Sequence, residues 1–150
     1  MRSTMILLAV TATFISLTPV RALESSMTAK SSLPPGELWT KIGDFCGITA
    51  WDPAVERCDL SEDGKQRTVI FFGGVGRVAA ALEDWDNANR SFSWASSSLL
   101  APVANYRAKV SVIADGQGSI LKLTANYEAS GVSDAEARKS SMAGFIGVSA

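Results

Sequence analysis

The sequence predicts an α+β domain built on an antiparallel sheet. Three observations carry this: strand-like runs separated by short turn signals fill residues 54–129, an amphipathic helix precedes them, and a capped helix follows from Ser133. Connections this short leave no room for the crossover helices of a parallel sheet, so the strands form a meander.

The chain opens with an export pattern. Arg2 gives a positive start, Met5 to Leu17 an apolar run, and Val20-Arg21-Ala22 the small residues that a signal peptidase reads, so residues 1–22 are a signal peptide and the domain spans 23–150. The run falls short of the roughly 20 apolar residues that a membrane span needs, and no later segment approaches it. The expected place of the mature protein is the periplasm or the exterior, with no stable membrane span after cleavage. Cleavage removes two arginines and no acid, which moves the formal charge from −1 to −3. The basic residues are scattered, so the field that a nucleic-acid binder needs is absent.

Residues 24–32 supply a short first strand, and Pro34-Pro35 ends it. Pro35 suits the first turn of a helix, where its missing N–H has no partner to lose. Leu38, Trp39, Ile42 and Phe45 follow at helical spacing, giving an amphipathic helix over Pro35 to Asp44. Gly43 and Gly47 stop it, a helical turn covers Ile48 to Trp51, and Pro53 limits that turn.

The predicted strands are Ala54–Leu60, Gln66–Phe72, Gly76–Asp84, Ser91–Ser98, Tyr106–Ala114 and Ser119–Ala129. Gly73-Gly74-Val75-Gly76 reads as a hairpin turn, since it joins two strands and lacks the lysine of a phosphate loop. Asn89-Arg90-Ser91 fits a glycosylation sequon that matters only in a secretory host. Ser133 and Glu136 form a capping box for a final helix running towards Phe145.

Two chemistries are weak from the start. Cys46 and Cys58 are the only cysteines. In an oxidising compartment they either pair or pack as small buried hydrophobes, and sequence spacing leaves both open. The chain has no histidine, so two cysteines alone do not make the usual zinc set, and no metal or cofactor is expected.

The run Trp39 to Pro53, WTKIGDFCGITAWDP, with Arg67 and the pair Asn105-Tyr106, resembles the polyketide cyclase/dehydrase branch of the START-like, Bet v 1-like (SRPBCC) superfamily. The resemblance implies a helix-grip fold: an antiparallel sheet wrapped around a C-terminal helix, with two short helices after the first strand, enclosing an apolar cavity. It implies ligand handling without naming a ligand, because this fold hosts many functions. Phe45 and Trp51 read as anchors of the helical elbow, Trp51 also standing where it can meet ligand at the cavity mouth. The final helix has only about three to four turns at 3.6 residues each. One end of the cavity is therefore open or closed by a partner near that helix.

Period-2 alternation assigns the inward side chains. If Arg67 points inward, so do Val69 and Phe71, then Val78, Ala80 and Leu82, then Phe92 and Trp94, and on the last two strands Tyr106, Ala108, Val110, Val112, Leu121, Leu123, Ala125 and Tyr127. Such walls are apolar with a few polar tips, the usual make-up of a ligand pocket. The expected ligand contacts are Arg67, Val69, Phe71, Ala80, Leu82, Phe92, Trp94, Tyr106, Tyr127 and Trp51. Arg67 either faces the cavity and needs an anion opposite it, or keeps its head in water or pairs with Glu62 or Asp86.

In the resembled family a glutamate commonly sits six residues before the aspartate that closes the hairpin, facing the arginine, and the plant lachrymatory-factor synthase branch uses such a pair for proton transfer. Six before Asp86 stands Ala80, and Glu83 lies on the opposite face of that strand. With no acid expected inside the cavity and only tyrosines of high intrinsic pKa, no catalytic residue is assigned.

The sequence therefore points to an exported protein that binds a hydrophobic small molecule or lipid. Two alternatives stand beside it. One is a cyclase/dehydratase-like enzyme. The other is an accessory protein of a redox complex, since the chain is also similar to the periplasmic MxaD-type proteins of methanol oxidation.

Overall fold

The computed structural model describes residues 21–98 and 100–143. The proposed signal segment, apart from Arg21 and Ala22, and the end of the last helix towards Phe145 lie outside the described residues. Strand β1 (Leu23–Ser31) leads into helix α1 (Pro35–Ile42) and a 3₁₀ turn at Gly47–Ala50. Six strands follow: β2 (Val55–Leu60), β3 (Gln66–Phe71), β4 (Arg77–Asp86), β5 (Ser91–Ser96), β6 (Val103–Asp115) and β7 (Gly118–Ala129). Helix α2 (Asp134–Ala143) comes last.

The seven strands form one sheet in the order β1-β7-β6-β5-β4-β3-β2, with every neighbouring pair antiparallel. Consecutive strands pair from β2 to β7, and β1 joins at the β7 edge. This is a helix-grip α+β fold. Its concave face holds the core: Phe92, Trp94, Ala108, Val110, Leu123 and Ala125 are all buried, as period-2 alternation requires.

Helix α1 ends two residues before the predicted Asp44. The Gly43 N–H closes the last turn on the Trp39 carbonyl at 2.7 Å, and a Cβ at Gly43 would lie 2.6 Å from the Trp39 ring. The Gly43 carbonyl then accepts the Trp85 indole N–H at 2.8 Å. Phe45 leaves the helical stripe yet stays buried.

Strand boundaries differ where side chains or bulges intervene. β4 runs on to Asp86 through a register shift between Leu82 and Asp84, and Asp86 closes the hairpin by accepting from the Asn89 backbone and side-chain amides at 3.0 and 2.6 Å. β5 stops at Ser96, because the Ser98 hydroxyl rather than a backbone carbonyl takes the Ala79 N–H at 2.9 Å. β6 begins at Val103, and a bulge with Asn105 at φ 52° re-aims the residue after it. The β3–β4 tip is a glycine turn, with Gly73 and Gly74 at φ 71° and 68°.

In α2, the Ser133 hydroxyl accepts the Glu136 N–H at 3.2 Å. The helix packs its buried Ala137 towards β1 and β7, and Arg138 donates to the Glu24 carbonyl at 2.8 Å. Among the described residues no helix is long and apolar enough to cross a membrane.

Candidate functional site: an apolar cavity around Arg67

Between the concave face, the 3₁₀ elbow and α2 lies a cavity of about 350 Å³. The walls include Val69, Phe71, Ala80, Trp94 and Leu123 from the sheet, and Ile48 and Trp51 from the elbow. Val75 and Leu100, on the tips of the β3–β4 and β5–β6 connections, stand at the mouth and are 69% and 50% exposed.

Arg67 dominates the interior. Second in β3, it points with Val69 to the concave side and is 4% exposed. Its guanidinium carbon stands 4.4 Å from the Phe45 ring centroid and 4.9 Å from that of Trp94, an arrangement in which ring quadrupoles offset part of the desolvation. Nη1 donates to the Phe45 carbonyl oxygen, while Nε is buried without a partner.

Among the described residues no carboxylate pairs with this cation. The ion pairs among the described residues are Lys30–Asp115, Arg57–Asp59 and Arg107–Glu83, and none includes Arg67. Burial lowers the Arg67 pKa to about 10, against a small opposing influence of Tyr106. The group stays protonated at neutral pH. Arg67 neither keeps its head in water nor pairs with Glu62 or Asp86, the alternatives the sequence left open: Glu62 is exposed, and Asp86 is occupied by its own turn. Ala80 stands directly opposite Arg67 in the β3–β4 register. Glu83 pairs with the exposed Arg107 at 2.8 Å.

Tyr106 follows the Asn105 bulge and lines the cavity, its ring stacked on Tyr127 with centroids 5.9 Å apart. Burial, reinforced by Tyr127, pushes the Tyr106 hydroxyl well above the usual phenol range. It is a neutral hydrogen-bonding group at physiological pH.

Three expected contacts sit elsewhere. Leu82, at the β4 register shift, lines a separate surface groove with Trp39 and Trp85. Phe92 is enclosed by Trp39, Phe45 and Trp94 at 6.2, 6.0 and 5.5 Å between centroids. Tyr127 lies behind Tyr106, its hydroxyl 2.5 Å from the Ser25 hydroxyl.

The cavity also holds polar groups that alternation along strands does not reveal. Asp52 lines it and is 6% exposed, which corrects the expectation of a cavity without an acid. Its Oδ1 accepts the Ala54 N–H at 2.9 Å, the local turn that Asp-Pro-Ala favours. That sequence signal was present, in a turn rather than a strand. Helix α2 contributes Ser140 and Ser141 to the wall. The Ser141 hydroxyl is buried without a partner among the described residues.

Cys46 and Cys58 are joined in a disulfide with Cα atoms 5.5 Å apart. The bond ties the elbow to β2 and fixes Phe45, one residue away, over Arg67. Among the described residues no group of three or more acids, histidines or cysteines is placed to hold a metal.

A family model described as polyketide cyclase/dehydrase and lipid transport matches residues 22–147. The chain belongs to this family. No curated protein sequence matches it. Among solved structures it is similar to the protein XoxI from Bacillus cereus, at 21% identity and a TM-score of 0.77 over 83% of this chain and 88% of that one. The ZhuI aromatase/cyclase from Streptomyces sp. R1128 superposes at 16% identity and a TM-score of 0.65, covering 83% and 85%. Ara h 8.0201 does so at 15% and 0.62, covering 83% and 91%. Identities this low speak for the helix-grip fold alone.

Proposed function

We propose that the protein is an exported carrier that binds a hydrophobic or amphipathic small molecule in the cavity, with Arg67 facing its polar end. The observation behind this is a buried cation that forms no ion pair among the described residues, set in largely apolar walls. An uncompensated buried charge is strongly destabilising, and an anionic ligand group supplies the missing partner. Ligand contacts in this reading come from Arg67, Val69, Phe71, Ala80, Trp94, Tyr106 and Trp51. Titration with decanoate and decanol, followed by tryptophan fluorescence, tests it. Saturable binding with decanoate tighter is expected, and Arg67→Gln should bring decanoate down to the level of decanol. Absence of saturable binding for either probe overturns the proposal.

Export rests on the pattern in residues 1–22, and the amino-terminal sequence of protein recovered from the periplasm tests it, Leu23 being the expected start.

Asp52 favours a second reading, a cyclase/dehydratase-like enzyme. A carboxylate on the same wall system as a cation and a neutral phenol can accept a proton while Arg67 stabilises an enolate. In that case Asp52→Asn abolishes turnover of a polyketide-type substrate and spares its binding. The accessory-protein reading draws on Met142, exposed on α2 beside the cavity. A cavity of about 350 Å³ inside the fold favours small-molecule binding over it.

A further inference from the structure

An apolar ligand with an anionic end leaves one buried group unexplained. Ser141 is 6% exposed, lines the same cavity as Arg67, and has no hydrogen-bond partner among the described residues. A serine inside a helix ordinarily satisfies its hydroxyl on the carbonyl four residues earlier, here Ala137. Ser141 does not. A buried hydroxyl left unpaired is destabilising, and such groups in native proteins call for a partner. The cavity thus presents two buried polar atoms without a partner among the described residues, Arg67 Nε on β3 and Ser141 Oγ on α2.

Resting on the carrier reading, we infer that the ligand is an apolar acid bearing a second, uncharged oxygen function, a hydroxyl or keto group, with the acid at Arg67 and that oxygen at Ser141. The two sites differ in charge, and so must the two ligand groups. Arg67 is a cation that a neutral group leaves uncompensated. Ser141 is a neutral donor and acceptor that serves a hydroxyl or carbonyl. A second anionic group is disfavoured, because among the described residues of the wall Asp52 is the one carboxylate and repels it, and Arg67 is the one cation. Diacids, plain fatty acids and hydrocarbons are therefore poorer matches than hydroxy or oxo acids.

The test uses the whole protein and a set of probes: decanoate, decanol, and hydroxydecanoates with the hydroxyl at successive carbons, each with wild type, Ser141→Ala and Arg67→Gln. Alanine at 141 favours helix and keeps the fold. At least one hydroxydecanoate should bind wild type about tenfold tighter than decanoate, the scale of one buried hydrogen bond made rather than lost. Ser141→Ala should erase that preference and leave decanoate within about twofold of wild type. Arg67→Gln should weaken every acid and leave decanol unchanged. If no hydroxylated isomer is preferred, or the preference survives Ser141→Ala, the inference is overturned and water alone satisfies Ser141. Failure of decanoate and decanol to bind at all overturns the carrier reading with it, so the two failures are distinct.

Discussion

Arg67 is held by the residue that precedes a disulfide: it donates to the Phe45 carbonyl and lies 4.4 Å from the centre of the Phe45 ring, and Cys46 is bonded to Cys58. Elbow, crosslink and buried cation are one mechanical unit, and each can be perturbed separately.

Replacing the cation with an apolar side chain of similar length separates stability from binding. Arg67→Met removes a desolvated charge with no ion-pair partner among the described residues, so the unfolding free energy should hold or rise, by up to about 4 kcal/mol. Affinity for decanoate should fall at least about tenfold. A site retained for ligand rather than for folding behaves this way, and urea unfolding beside a binding titration reads both quantities.

Ala80→Glu restores an acid directly opposite Arg67 in the sheet. The new carboxylate should occupy Arg67, weaken decanoate at least about tenfold by competition and repulsion, and leave decanol much less affected. Comparison of the two probes by titration calorimetry decides this.

Reduction of the disulfide should cost about 2–3 kcal/mol, as expected for a loop of this size in the chain-entropy account. It should also weaken decanoate, because Phe45 is then no longer fixed over Arg67. Unfolding and binding curves with and without dithiothreitol, and for Cys46→Ser/Cys58→Ser, check both effects.

Binding of a permanently ionised acid should be flat from about pH 6 to about pH 9, since Arg67 and Tyr106 hold their protons throughout. Above its pKa of about 10 Arg67 loses its charge, and decanoate affinity should decline while decanol is unchanged. For stability the two groups oppose each other. Arg67 has a folded pKa below its unfolded one, so the native state releases its proton first and stability gains as pH rises past about 10. Tyr106 has a folded pKa above its unfolded one. Its contribution is fully present below about pH 10 and is lost as pH rises further. The stability of Tyr106→Phe relative to wild type should therefore increase as pH rises above about 10.

The fold was legible because its signals are local and regular. Alternation marked the strands, Pro35 and the Leu38-Trp39-Ile42 stripe marked α1, and Ser133 marked the start of α2. The inward aim of Arg67, Val69 and Trp94 followed from the same period of two. Alternation gives the face of the sheet and not the place along it. Leu82 pairs with Trp94 on the same face, yet lies where Trp39 and Trp85 form another groove, and Tyr127 stacks on the cavity-lining Tyr106 without lining the cavity itself. Asp52 and Ser141 escaped because one lies in a turn and the other on a helix, where the orientation of a small polar side chain depends on tertiary packing. The two outcomes open to Cys46 and Cys58 differed only in spatial approach, which spacing does not encode.

The most direct test of the account is native mass spectrometry of the mature protein as it is recovered from cells, followed by an organic extract, with Arg67→Met in parallel. A discrete small-molecule adduct is expected on wild type and depleted in the variant, identified in the extract as an oxygenated apolar acid. A wild-type protein that is empty and cannot be loaded with decanoate, decanol or a hydroxydecanoate contradicts it.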